Sequence, residues 1–123
     1  MPVKVVDASA LAAILFNEPD AGRVVSRLAG DALAAPQLIS FEVANACLKK
    51  MRAHRSESEL LLAAFGLIDR LDIEMTSVDL ADVIVLAQDT GLTVYDASYL
   101  WLARLLKCEL VTLDKRLASA AKR

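Results

Sequence analysis

Asp7, Glu42, Asp96 and Asp114 are the residues of this chain best suited to chemistry. Three of them, Asp7, Asp96 and Asp114, fall where a predicted strand or loop gives way to a helix, as in Val5-Val6-Asp7-Ala8-Ser9 and Leu113-Asp114-Lys115. In open α/β sheets that edge gathers strand carboxyl ends and helix N-termini, and ligands bind there. Taken singly, each aspartate reads as a helix N-cap, because a short acidic side chain accepts the unpaired N–H groups of the first turn. Three such acids in one small domain are harder to reduce to capping. Glu42 is less ordinary still, since it falls in the middle of a predicted helix among Ile39, Phe41, Val43, Ala46, Cys47 and Leu48. A carboxylate on such an apolar helix is costly unless it is paired, bound to a cation or able to escape to solvent. Asn45, three residues on, shares its face.

A cluster of Asp and Glu oxygens selects a hard divalent cation, and a site that must also accept phosphate points to Mg²⁺, with Mn²⁺ as a substitute. Such an ion would lower the pKa of a bound water and supply a hydroxide nucleophile. Other chemistries lack their residues. His54, beside Arg52 and Arg55, is the single histidine, and Cys47 and Cys108 have no C-x-x-C spacing, so neither a zinc site nor a two-histidine nuclease is indicated. No G-x-S-x-G surrounds Ser9 or Ser98, which argues against a serine hydrolase. An internal echo, V-x-D-A-S-x-L at Val5–Leu11 and again at Val94–Leu100, suggests one local geometry used twice, with Ser9 and Ser98 capping backbone N–H groups.

The elements that must position these acids alternate along the chain. Strands are expected at Val3–Val6, Ala32–Ala35, Ile73–Val78 and Glu109–Leu113. Helices are expected at Ala10–Phe16, Asp20–Leu28 with Val24, Val25 and Leu28 on one face, and Leu38–Arg52. A capping box at Ser56 and Glu59 should start another through Leu71; Asp79 should cap one through Gln88, before Gly91. Asp96 should start a helix through Leu106, and Asp114 a last short one. Strands alternating with helices imply an α/β fold with a parallel sheet covered on both faces.

Length and composition agree with a single domain spanning 1–123: 123 residues can bury one core, and although 56% are hydrophobic, charges interrupt every apolar stretch before it could span a bilayer. The N-terminus, with Lys4 inside a short strand and Asp7 just after it, has neither the basic start nor the apolar run of a secretory signal. Two cysteines in apolar settings suit reduced thiols, and a cytoplasmic location is expected. The net charge of −2 excludes a general basic surface for nucleic acid, so any such contact must be local. Lys49, Lys50, Arg52 and Arg55, or Lys115 and Arg116, are the candidates for it, although the first group also reads as a solvated helix face. The apolar run Leu60-Leu61-Leu62-Ala63-Ala64-Phe65 exceeds one helix face and suggests an interface.

Four segments, V-V-D-A-S-A-L, F-E-V-A-N, V-Y-D-A-S-Y-L-W-L-A and L-V-T-L-D-K-R-L, together resemble the PIN-domain ribonucleases, most closely the VapC-type toxins of toxin–antitoxin pairs. The resemblance runs the length of the chain, and the last two segments are its most specific part. It implies a three-layer sandwich with a central parallel sheet, and an acidic quartet at Asp7, Glu42, Asp96 and Asp114 that binds Mg²⁺. It also implies Ser9 and Thr112 as polar neighbours, RNA as substrate and an antitoxin as partner, while the apolar excess leads us to expect a homodimer. A housekeeping RNA-processing nuclease of the same family and a PIN-like module without catalysis are the nearest alternatives. A phosphoacceptor receiver domain shares the length and sheet type. It would need an adjacent acidic pair after the first strand, where Asp7 stands between Val6 and Ala8.

Overall fold

The structure is a computed structural model and describes residues 2–123. Its elements run β1 (Val3–Val6), α1 (Ala8–Leu15), α2 (Ala21–Leu28), β2 (Ala32–Pro36), α3 (Ile39–Ala53), α4 (Ser58–Gly66), β3 (Ile73–Thr76), α5 (Leu80–Thr90), α6 (Val94–Leu106), β4 (Glu109–Val111) and α7 (Lys115–Ala121). The four strands make one parallel sheet in the order β3-β2-β1-β4, with Val5 opposite both Ala34 and Leu110. The chain steps outward from β1 to β3 and then returns across the sheet to β4. With the right-handed crossovers that parallel strands require, α1 to α4 cover one face and α5 and α6 the other. The packing follows this division: α1 rests on α2 and α3, and α5 on α6. The result is the three-layer α/β sandwich that the alternation of elements implied.

The central strand β1 is sealed on both sides, and Val5 and Val6 are fully buried. Around them the core gathers Leu11, Ile39, Val43, Leu100, Leu102 and Leu117. On α2, Val24 and Leu28 face inward while Val25, expected beside them, is exposed: successive helical residues lie about 100° apart, so one face cannot hold all three centrally.

Several boundaries differ from the sequence reading for local reasons. The helix expected from Ser56 to Leu71 is instead a 3₁₀ turn at Arg55–Glu57, α4, and a second 3₁₀ turn at Leu67–Arg70. No capping box forms, and the Ser58 hydroxyl donates to the Arg55 carbonyl. Strand β3 stops at Thr76, whose carbonyl accepts from the Gln37 N–H. Strand β4 stops at Val111, whose carbonyl accepts from the Asp7 N–H, and the two residues that follow turn away to contact Asp7 and Ser9. Asp79 caps α5 as expected, and Gly91 ends that helix at φ 75°, where a side chain would be strained. Cys47 is buried and Cys108 half-buried, both as free thiols. Among the described residues no helix is long and apolar enough to cross a membrane.

Candidate active site

At the carboxyl edge of the sheet, β1 hands directly to α1 through Asp7. Its Oδ1 accepts the Ala10 N–H at 3.0 Å, the N-cap bond of α1. The same oxygen accepts the Ser9 hydroxyl at 2.7 Å, and Oδ2 accepts the Thr112 hydroxyl at 2.5 Å. Ser9 and Thr112 in turn receive the N–H groups of Leu113 and Asp114, each at 3.0 Å, so the loop after β4 is laced to the loop after β1. Asp7 is only 4% exposed. Burial is the main force pushing its carboxyl above the usual carboxylate range; the hydroxyl and N–H donors act against the rise and the charge of Asp114 adds to it.

Asp114 is the N-cap of α7 and accepts the Leu117 N–H at 3.0 Å, while remaining exposed. Glu42 lies in the first turn of α3, not mid-helix, and is half-buried. The apolar neighbours that seemed to surround it do not, since Phe41 beside it is 82% exposed. Its Oε1 accepts the Tyr99 hydroxyl at 2.5 Å. Burial raises the Glu42 carboxyl, the Tyr99 hydrogen bond opposes the rise, and the charges of Asp96 and Asp7 add to it. Asp96 is in the first turn of α6, whose cap is Thr93: the Thr93 hydroxyl accepts the Asp96 N–H at 3.1 Å. Burial and the charge of Asp114 raise the Asp96 carboxyl, and Arg116 offsets part of this.

The acids repel one another: the charge of Asp114 acts on Asp7 and Asp96, and the charges of Asp96 and Asp7 act on Glu42. Among the described residues no three acidic, histidine or cysteine side chains converge tightly enough to hold one ion as they stand. The donor set, carboxylates with two hydroxyls beside them, fits a hard divalent cation in its chemistry, and such a charge would relieve the repulsion among the acids.

Two readings of the sequence are corrected here. The repeated Asp-Ala-Ser is not one geometry, and neither serine caps a helix: Ser9 bridges Asp7 and Leu113, whereas the Ser98 hydroxyl turns back to the Tyr95 carbonyl at 2.6 Å. Tyr99, the buried partner of Glu42, had been given no role, although its position one turn beyond Asp96 puts both on one helix face.

The basic residues divide. Lys49 lines a cavity of about 470 Å³ together with Ser9, Glu42 and Asn45. Lys50 is drawn to Glu18 at 2.6 Å and lies 5.6 Å from the centre of the Phe16 ring. Arg52 is ten residues past Glu42 along the helix, about 15 Å by helical rise, and Arg55 follows beyond the end of α3. Lys115 borders a cavity with Asp114, and Arg116 donates to the Gly91 carbonyl at 2.9 Å.

Compared with known proteins, residues 4–123 match the PIN domain family. Ribonuclease VapC3 of Pyrobaculum aerophilum is 36% identical over 93% of this chain and 91% of its own length. Ribonuclease VapC9 of Mycobacterium tuberculosis is 32% identical over 93% of this chain and 87% of its own. The crystal structure of PAE2754 from Pyrobaculum aerophilum superposes with a TM-score of 0.79 at 27% identity, covering 98% of this chain and 86% of that one.

Proposed function

The chain belongs to the PIN-domain family, and from that premise we propose that it is a single-domain, Mg²⁺-dependent endoribonuclease, cytoplasmic, acting as the toxin of a toxin–antitoxin pair. The ribonuclease names of its relatives support the substrate, and the four mutually repelling carboxylates at the carboxyl edge of the sheet carry the chemistry. Asp7, Glu42, Asp96 and Asp114 would hold the ion. Mg²⁺, or Mn²⁺ in its place, supplies Lewis-acid polarisation of the scissile phosphate when bound.

The chain's own groups do the rest. Thr112 and Ser9 fix both oxygens of Asp7, so the most buried acid presents one orientation and no freedom to swing. Tyr99 fixes Glu42 from across the sheet edge and is itself raised far above the usual phenol range by burial and by Glu42, so it stays a proton donor at every working pH. Asp96 and Asp114, with fewer bonds, are free to adjust to the substrate. Leu60 and Leu62 on α4 and Leu80, Ile84 and Val85 on α5 are exposed, which supports apolar contacts with an antitoxin and with a second copy of the chain.

The test is cleavage of RNA by the purified chain with Mg²⁺ and with chelator. Hydrolysis by water should leave 5′-phosphate and 3′-hydroxyl ends, and Asp96→Asn should lose cleavage while keeping its fold. A 2′,3′-cyclic phosphate product, or full activity in a folded Asp96→Asn protein, would contradict the reading.

A further inference from the structure

The proposed site sits in an acidic protein, so a polyanion needs a local path to it. Three open cavities are neighbours, each sharing lining residues with the next. The largest, about 660 Å³, runs along the outer strand β4 between α2, the end of α6 and α7, and is lined by Arg27, Arg104, Lys107 and Lys122, with Glu109 its one acid. It shares Arg27, Thr112 and Ala118 with a second, of about 310 Å³, which adds Arg23, Lys115 and Asp114. That one shares Leu113 with the cavity lined by Ser9, Glu42 and Lys49. Asp114 and Glu42, two of the four acids, thus border a track whose longer arm is cationic.

Most of this positive charge is uncommitted. Arg27 pairs with Glu109 and Arg23 with Asp20, and Arg104 donates to the Arg123 carbonyl at 3.5 Å. Among the described residues Lys107, Lys115 and Lys122 pair with no carboxylate. From Asp114 to Lys122 the helix α7 spans about 12 Å by helical rise, room for more than one phosphate along the groove.

We propose that single-stranded RNA lies along the β4 edge with its phosphates on Arg104, Lys107 and Lys122, and enters the carboxylate site at Asp114. This rests on the ribonuclease reading and adds the direction from which the substrate arrives. An extended peptide could in principle add a strand to the free edge of β4. Four cations facing one acid favour a polyanion over a peptide strand.

The experiment is binding of a fluorescent single-stranded RNA oligonucleotide in chelator, where no cleavage occurs, across a salt titration. Arg104→Gln, Lys107→Asn and Lys122→Gln are compared with Arg70→Gln, an equal charge change at an exposed site outside the track. Asn suits position 107, where the backbone is left-handed at φ 54°. Thermal melts check each variant, and Lys122→Gln, at the exposed end of α7, decides if another fails to fold. Each groove variant should weaken binding about fivefold at 0.1 M salt and reduce the salt slope by about 0.7, the loss of one single-strand phosphate contact. Groove variants that bind as well as Arg70→Gln, while the unaltered chain binds RNA, would overturn the track and leave the ribonuclease reading standing. A folded, unaltered chain that binds no RNA in chelator would overturn the track, while the Mg²⁺ cleavage assay decides the ribonuclease reading separately.

Discussion

Asp7-Ala8-Ser9 and Asp96-Ala97-Ser98 are the same three residues set at different distances from a helix start. In the first, the strand ends at Val6 and Asp7 is itself the cap, so its carboxylate is pinned by the Ala10 N–H and two hydroxyls in a buried pocket. In the second, Thr93 takes the capping role, and Asp96 is left in the first turn with its carboxylate partly open to solvent. Helix propensity is similar for both; what differs is the element before. A buried strand delivers its last residue into a crowded edge, whereas the Gly91 turn delivers a capping threonine two residues later. The fold thereby makes one rigid and one adjustable acid from one motif.

The largest effect expected from this difference is on stability. Thr112→Val removes the hydroxyl that donates to Asp7 and accepts the Asp114 N–H, leaving two polar groups short of a partner. It should cost about 2–4 kcal/mol in denaturant unfolding. Ser98→Ala loses only a bond to a carbonyl in its own helix and should cost less than about 1 kcal/mol. Equal costs would mean that the two motifs are held alike, contrary to the geometry.

A second, smaller contrast appears with pH in the absence of divalent cations. Asp7, Glu42 and Asp96 all have carboxyls raised above the usual range, so their contribution to stability is fully present below about pH 4 and is lost as pH rises through their folded values. Asp7→Asn keeps the cap and removes the charge. In chelator it should gain stability relative to the unaltered chain at pH 7, with the gain vanishing toward pH 4. Asp96→Asn should show the same trend with smaller amplitude, because more solvent reaches it. A gain that grows as pH falls would reverse the sign and contradict the burial argument.

Tyr99→Phe should give the smallest structural change, since the ring stays packed and one hydrogen bond to Glu42 is lost. Cleavage should fall about tenfold, as for other groups that orient a ligand, with little change in melting temperature. A large loss of stability with normal cleavage would make the tyrosine a core residue and nothing more.

Much of this was legible in the sequence because it follows from local chemistry. The β-branched run before Asp7, the Asp79 cap and the Gly91 stop each announce their element, and the alternation of elements carries the parallel sandwich. What was hidden depends on contacts distant in sequence. Glu42 looked buried in an apolar helix because periodicity does not reveal that Phe41 faces solvent. Its partner Tyr99 lies 57 residues away. The pairing of Ser9 with Leu113 spans 104 residues and shortens β4 by two positions relative to its apolar run. The cations of the β4 groove come from α2, α6 and α7 and form no cluster in the sequence.

The central claim is that the rigid and the adjustable acid serve one cation. Calorimetric titration with Mn²⁺ of the unaltered chain, Asp7→Asn, Asp96→Asn and the double variant tests it most directly. The account predicts that each single variant loses at least about tenfold in affinity for the same binding event, and that the double variant loses less than the sum, because the residues act as a unit. Full affinity in either single variant, or two losses that simply add as for separate sites, would contradict it.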